Sequence, residues 1–359
     1  MVVLTRFVRS AVFVLSLTLC APGCQDLGIP SPSDSTTDAL EVEQNADQTP
    51  AAPPAIGSPP ASSLTNQEPL TPEVIVSQFK AKQPHERTDA DLAALANFEP
   101  ETRMLEELNL RSAQITKAGL QSLAAFNELR RLDLTNCPVL TDDYQPLASL
   151  SQITWLSLSG AGVNSQSLSY LSPCTELTHL DLSNTQITDD GFVHLATLTK
   201  LEEINVSGCR IEGSGFAALG PRGARSQLKV IEASNTRFGY YGFTHLDGQR
   251  SLEVVSAGGC QAGDVVIQAL KGASRIRVLN LSGNQVSDQG LRLLSGMKQL
   301  EQLNLANCTG VSDETLGRLR SHKELKVLRI ENSACTQAGA DEFKKAHPDC
   351  EVTFAGTSF

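Results

Sequence analysis

The sequence predicts an α/β solenoid, a stack of short units with strands along one side and helices along the other, and three observations carry that expectation. The stretch "LTHLDLSNTQITDDGFVHLATLTK" from Leu177 has near copies upstream at Ile153 and downstream at Ile276. The first apolar positions of the copies are Leu105, Leu129, Ile153, Leu177, Leu201, Leu228, Leu252, Ile276, Leu300 and Leu325, which stand 24, 24, 24, 24, 27, 24, 24, 24 and 25 residues apart. Within each copy the apolar spacing changes from two residues to three or four, the change from strand to helix. A chain of 359 residues is long enough for two ordinary domains. A solenoid grows by adding units rather than cores, so one array of about ten repeats, residues 105–349, accounts for most of the length.

Each element of a unit has its own reason. In "HLDLS" the alternation sends Leu180 and Leu182 inward and His179, Asp181 and Ser183 outward, as a short strand requires. In "ITDDGFVHLATL", Thr188 is placed to cap a helix, with Asp189 and Asp190 beside the positive end of its dipole. Phe192, Leu195 and Leu198 then recur at helical spacing and face the strand. No single unit buries its apolar face alone, so neighbours supply the core, and helices wider than strands curve the stack. Residues 72–104 form an N-terminal helical cap, with "DADLAALANF" from Asp89 covering the first repeat. Residues 350–359 form a C-terminal cap strand, "CEVTF" from Cys350 closing the last one. The insertion in "GPRGARSQ" after Leu219 lengthens a convex-side loop by three residues.

The pattern L-x-x-L-x-L-x-x-(N/C/T/S/A), followed by a half of the form "ITDxGLxxLxxL", resembles the leucine-rich repeat in its cysteine-containing subtype, over roughly Glu101 to Phe359. The resemblance implies a right-handed solenoid curved like a horseshoe, with parallel strands on the concave face and helices on the convex face. It also implies a scaffold that binds rather than an enzyme. A second resemblance is shorter: "LTPEVIVSQF", Leu70 to Phe79, is similar to the start of an F-box, whose members carry such repeats as substrate receptors of ubiquitin ligases. Only about 30 residues separate it from the first repeat, and they hold no tryptophan.

The N-terminus points to export. Residues 1–23 combine Arg6 and Arg9, the apolar run "AVFVLSLTL" and small residues, the three parts of a secretory signal. "APGC", Ala21 to Cys24, resembles a bacterial lipobox, which implies that Cys24 is acylated and tethers the chain to a membrane of the cell envelope, periplasmic or surface-facing. Residues 24–71 are rich in Pro, Ser, Thr and acid and bury too little apolar surface to fold, so they form a linker of the kind a tether needs. An exported chain does not meet a cytosolic ubiquitin pathway. Between Gln25 and Phe79 eight acids stand against no Lys or Arg, and the whole chain carries a formal charge of -11. Nucleic acid, whose phosphates need a basic footprint, is excluded as a partner.

Nine cysteines in an exported chain suggest disulfides. Cys137, Cys209, Cys260 and Cys308 occupy one position in repeats two, five, seven and nine, at least two rungs and so roughly 10 Å apart, beyond pairing distance. They read as small buried side chains, with Thr185 and Asn284 serving the same position through hydrogen bonds to turn backbone. Cys335 and Cys350, near the end cap, are the one pair left open to bridging. The sequons at Asn205, Asn280 and Asn307 fall where the repeat itself spells them. The histidines lack metal-ligand spacing, and no nucleophile elbow, phosphate loop or dinucleotide fingerprint occurs. No cofactor, metal or catalytic residue is expected.

Two outward rows of the concave sheet remain as the binding surface. The first reads Glu107, Arg131, Trp155, His179, Glu203, Val230, Val254, Val278, Gln302 and Val327. The second reads Asn109, Asp133, Ser157, Asp181, Asn205, Glu232, Ser256, Asn280, Asn304 and Arg329. Exposed Trp and Arg are common anchors of interfaces, so a patch of Arg131, Asp133, Trp155, His179, Asp181 and Glu203, continued by Val230, Val254 and Val278, is the expected site. The competing account is that strand-face valines reflect β propensity and that Trp155 covers a neighbour. The expected partner is a protein or a surface polymer, bound by a monomer. An envelope-structural role without a specific ligand is the remaining alternative.

Overall fold

Two-residue alternation around Leu180 and its equivalents gives one short strand per repeat in the computed structural model, which describes residues 71–97, 105–139, 144–219, 227–354 and 357–358. All of these lie in one unit, Asn66–Phe359. The signal, Cys24, the linker and the insertion at 220–226 lie outside the described residues.

The strands are β1 (Glu107–Asn109), β2 (Arg131–Asp133), β3 (Trp155–Ser157), β4 (His179–Asp181), β5 (Glu203–Asn205), β6 (Val230–Glu232), β7 (Val254–Ser256), β8 (Val278–Asn280), β9 (Gln302–Asn304), β10 (Val327–Arg329), β11 (Glu351–Phe354) and β12 (Thr357–Ser358). They form one sheet in sequence order. β1 to β11 are parallel and β12 turns back antiparallel to β11, so the chain leaves the stack in a hairpin rather than a lone cap strand. The fold is an α/β leucine-rich-repeat-type solenoid, with a core of inward leucines such as Leu132, Leu156, Leu180 and Leu303, each no more than 2% exposed.

The convex halves differ from simple α-helices. Helices α3 (Lys117–Ser122), α4 (Gly239–His245), α5 (Val265–Ala269), α6 (Asp313–Leu319) and α7 (Gln337–Ala346) serve repeats one, six, seven, nine and ten. The other repeats carry 3-10 segments, as at Asp189–Leu195. Repeat length does not choose between the two, since repeats one, six and seven have 24 residues and α-helices while the 27-residue repeat five carries a 3-10 segment.

Asp189 does not serve its own helix. Its carboxylate accepts from the backbone of Glu212 and Gly215 in the next repeat, each at 2.7 Å, while Thr188 pairs its hydroxyl with Ser165. The same cross-repeat contact recurs where Asp264 accepts from the Ser287 backbone and hydroxyl and Asp313 from those of Thr336. This explains the glycine in "DQG": a Cβ on Gly290 would stand 2.2 Å from the Asp264 carboxylate. In repeat nine Thr315 replaces that glycine, and its hydroxyl donates to Asp288 at 2.6 Å. Burial works against ionising Asp288, but the bonds from Ser312 and Thr315 outweigh it and hold its carboxyl below the usual range.

The N-terminal cap uses the same device. After α1 (Pro72–Ala81), helix α2 (Asp89–Ala96) begins "TDADLAAL" and reproduces the helical half of a repeat. Asp89 accepts from the Thr116 backbone at 2.9 Å, as Asp264 does from Ser287, and buried Leu92 and Leu95 take the places of Phe192 and Leu195. Arg87 lies over the Phe79 ring at 4.3 Å and donates to the Asn109 carbonyl, tying β1 to the cap.

Every repeat leaves its strand through one residue at positive φ, supplied by Asn at Asn136 (56°) and Asn184 (56°) and by Gly at Gly160 (64°). One residue further stand the ladder cysteines, all buried and free. Cys137, Cys209 and Cys260 donate to the carbonyls of Leu110, Leu182 and Ala233 in the preceding repeat at 2.9 to 3.0 Å, and Cys308 reaches Leu281 at 3.1 Å. Thr185 donates to the Leu182 carbonyl and Asn284 to that of Ala257, the substitution expected of them. Burial pushes the Cys137 thiol up to about 12, so these are inert groups. Cys335 and Cys350 are also free thiols.

Candidate binding face

Parallel pairing sets the outward rows in register. Arg131 pairs with Trp155, Trp155 with His179, His179 with Glu203, Glu203 with Val230, Val230 with Val254 and Val254 with Val278. The expected residues of the first row therefore form one continuous line, at about 4.8 Å per rung.

Their side chains are not equally available. The Arg131 guanidinium lies over the Trp155 ring, 3.5 Å from its centroid, so one face of the aromatic is already covered. His179 bonds Thr178 Oγ1 through Nδ1 at 2.7 Å and approaches Glu203 through Nε2 at 3.2 Å. Val230, Val254 and Val278 are half-buried, with Glu232, Ser256 and Asn280 one step along their strands.

The second row has a structural reason for its Asp and Asn residues. Asp133, Asp181, Asn205, Asn280 and Asn304 each accept, through a side-chain oxygen, from the backbone N–H two residues on, at 3.0 to 3.1 Å. These bonds end the strand in a turn that Asp or Asn side chains make by their length. Asp133 and Asp181 thus carry part of the fold as well as facing the surface, and Asp181 also accepts the hydroxyls of Ser183 and Ser157.

Glu232 breaks that rule and is the residue the sequence reading passed over. It is the single Glu in the row, and one methylene too long for the turn. Burial first, then the charges of Asp181 and Glu203, pushes its carboxyl up to about 7. Elsewhere along the strands carboxylates meet cations: Glu202 pairs with Lys229, and Glu301 with Arg277 and Lys326. Among the described residues no Lys or Arg pairs with Glu232 or Asp181. An unmatched Glu in a row of Asn, Asp and Ser was the available signal.

Two other features lie apart from this face. A cavity of about 300 Å³ opens on the helical side, lined by Leu291, Leu294, Arg318 and His322 among others. Among the described residues no group of three or more His, Cys, Asp or Glu is placed to hold a metal, and no helix is long and apolar enough to cross a membrane.

A family model described as leucine-rich repeats in two copies matches residues 175–216, and a second, described as a leucine-rich repeat, matches residues 103–124 and 276–295. The chain thus carries leucine-rich repeats at these places, and the one-strand-per-repeat stack around them has the same architecture. Of the solved leucine-rich-repeat structures, an internalin, InlF, from Listeria monocytogenes is similar at a TM-score of 0.52 and 20% identity, over 70% of this chain and 74% of that one. A leucine-rich-repeat protein from Leptospira interrogans gives 0.49 at 16% identity, over 71% and 73%. Internalin C2 from Listeria monocytogenes gives 0.32 at 21%, over 75% and 84%. The likeness to InlF is one of fold. No curated protein matches the chain.

Proposed function

We propose that this leucine-rich-repeat chain is an exported scaffold, of the cysteine-containing subtype, that is tethered to a membrane of the cell envelope through an acylated Cys24 and binds a protein or surface polymer as a monomer through its concave sheet. It performs no catalytic step. The observation that carries this reading is the registered row from Arg131 to Val278, together with uncompensated carboxylate at Asp181 and Glu232 beside it. A partner bringing a cation to those carboxylates and an apolar side chain to the valines complements both features. Four ladder cysteines bonded to turn carbonyls support the subtype. The receptor-subunit reading finds less support, since among the described residues α1 and a short 3-10 turn lead into a cap built as half a repeat.

The test uses the full chain as bait for envelope fractions, with crosslinking and mass spectrometry. A saturable partner retained by wild type and lost with Glu232→Lys supports the reading. Capture unaffected by any change on the row refutes it, and saturation by none supports an envelope-structural role. Replacing Cys24 with Ser releases the protein from membranes if acylation anchors it, since each buried methylene contributes about 0.8 kcal/mol. Unchanged association removes the tether from the account.

A further inference from the structure

The residue three places before the next repeat begins sits under the convex segment and closes each unit. It is Phe126, Leu150, Cys174, Leu198 and Met297 in repeats one, two, three, four and eight, all buried. In repeats nine and ten it is His322 and His347, which are 1% and 6% exposed. The turn is the same in each case: Leu129 donates to the Phe126 carbonyl at 3.1 Å, Leu325 to that of His322 at 3.2 Å and Cys350 to that of His347 at 3.1 Å. Two imidazoles thus occupy consecutive sites that apolar side chains fill in repeats one to four, seven and eight, and Gln249 in repeat six.

Each ring has one nitrogen served and one without a partner. His322 Nε2 donates to the Leu294 carbonyl at 2.9 Å and His347 Nδ1 lies 3.4 Å from that of Phe343, which assigns the proton to those nitrogens in the neutral rings. His322 Nδ1 and His347 Nε2 are buried with no hydrogen-bond partner. A neutral ring tolerates this, because the second nitrogen is only an acceptor left dry. An imidazolium carries a second N–H donor and a charge, and burying both unpaired is costly.

The charges that act on His347 are those of Lys323 and His322, both cationic when protonated. Arg292 and Arg318 line the cavity that His322 borders, and Lys323 lies close enough to His347 to oppose its charging. The nearby carboxylates are taken, Glu314 by Arg318 and Glu342 by Arg320. The Phe343 ring stacks on His347 at 4.3 Å. Burial chiefly, with the Lys323 and His322 charges adding to it against the pull of the Phe343 and His322 backbone carbonyls, holds the His347 pKa below the ordinary histidine value.

We propose that His322 and His347 are a pH-sensitive latch under the last two repeats, closed while both rings are neutral and opened by their protonation. The sign follows from linkage. For His347 the unfolded chain takes up the proton near 6.5 and the folded chain only at lower pH, so its part of the latch is fully closed above 6.5 and weakens as pH falls below it. What opens is α7, β11 and the terminal hairpin, and no equivalent pair exists in repeats two to four.

Hydrogen exchange read by mass spectrometry on the full chain at pH 7.5 and 5.0, corrected for the intrinsic pH dependence of exchange, tests this. The expected result is a tenfold or greater loss of protection across residues 327–354 at pH 5.0, little change across 153–211, and restored protection in the His322→Phe, His347→Leu double variant. Equal protection of 327–354 at both pH values, or a loss that survives the double substitution, overturns the proposal. Should that variant not fold, NMR titration of the wild-type imidazoles decides, with resonances assigned through His347→Gln. The latch requires the His347 ring to titrate below 6.5, and a value at or above 6.5 refutes it.

Discussion

The two halves of the concave row share a backbone and differ in what their side chains have left to offer. From Arg131 to Glu203 the residues are polar or aromatic and already engage one another, Arg131 over Trp155 and His179 with Glu203. From Val230 to Val278 they are apolar and half-buried. Facing outward is therefore not the same as being available. A partner at the first half must exchange existing contacts for new ones, which sets specificity, whereas a partner at the second gains apolar burial at little exchange. Glu232 stands where the halves meet, and its carboxyl is the least satisfied charge of the face.

The comparison breaks most sharply at Val254. Val254→Asp places a carboxylate in the middle of the valine stripe, and affinity for a partner recovered by crosslinking should fall by about 3 kcal/mol, more than a hundredfold. Calorimetric titration of wild type and variant measures it. A fall of less than threefold moves the apolar contact away from this half.

Glu232 sharpens the junction through pH. Its folded value near 7 lies above the ordinary 4.5, so its contribution to stability is fully present below 4.5 and is lost as pH rises through about 7. Glu232→Gln keeps the shape and removes the charge. Relative to wild type it should gain about 2 kcal/mol at pH 8.5 and almost nothing at pH 4.5, after allowance for solvent screening. Denaturant unfolding at the two pH values checks this, and a pH-independent difference contradicts the burial of that carboxyl.

The first half should respond more weakly. Trp155→Ala removes the aromatic beneath Arg131, and affinity should fall by about 1 to 2 kcal/mol with fold stability changed by less than 1 kcal/mol. Surface calorimetry and thermal unfolding separate the two. The His179 and Glu203 pair is exposed enough that His179→Ala should alter stability by no more than about 0.5 kcal/mol.

Much of this molecule was legible because a repeat states its rules many times. Leu180 and Leu182 follow from periodicity, and the ladder cysteines follow from rung spacing. Pairwise contacts between repeats were not legible. Asp189 carries the features of a helix-dipole residue, yet it reaches the next repeat, as Asp89, Asp264 and Asp313 do from the starts of α-helices. The cap helix was visible as a helix but not as half a repeat, since its strand partner is missing from the sequence pattern. On the binding face, register was predictable from spacing. The stacking of Arg131 on Trp155 and the raised carboxyl of Glu232 depend on side-chain geometry and burial that no single-row reading contains.

The central claim is that the concave row, and not the helical side, meets the partner. Val193 is 63% exposed on the helical side and serves as the matched apolar control for Val254. A photo-crosslinking residue placed singly at each position, in cells, compares the faces directly. The account predicts a discrete crosslinked species from position 254 that disappears with Glu232→Lys, and none from position 193. A species from position 193 with none from 254 would contradict it.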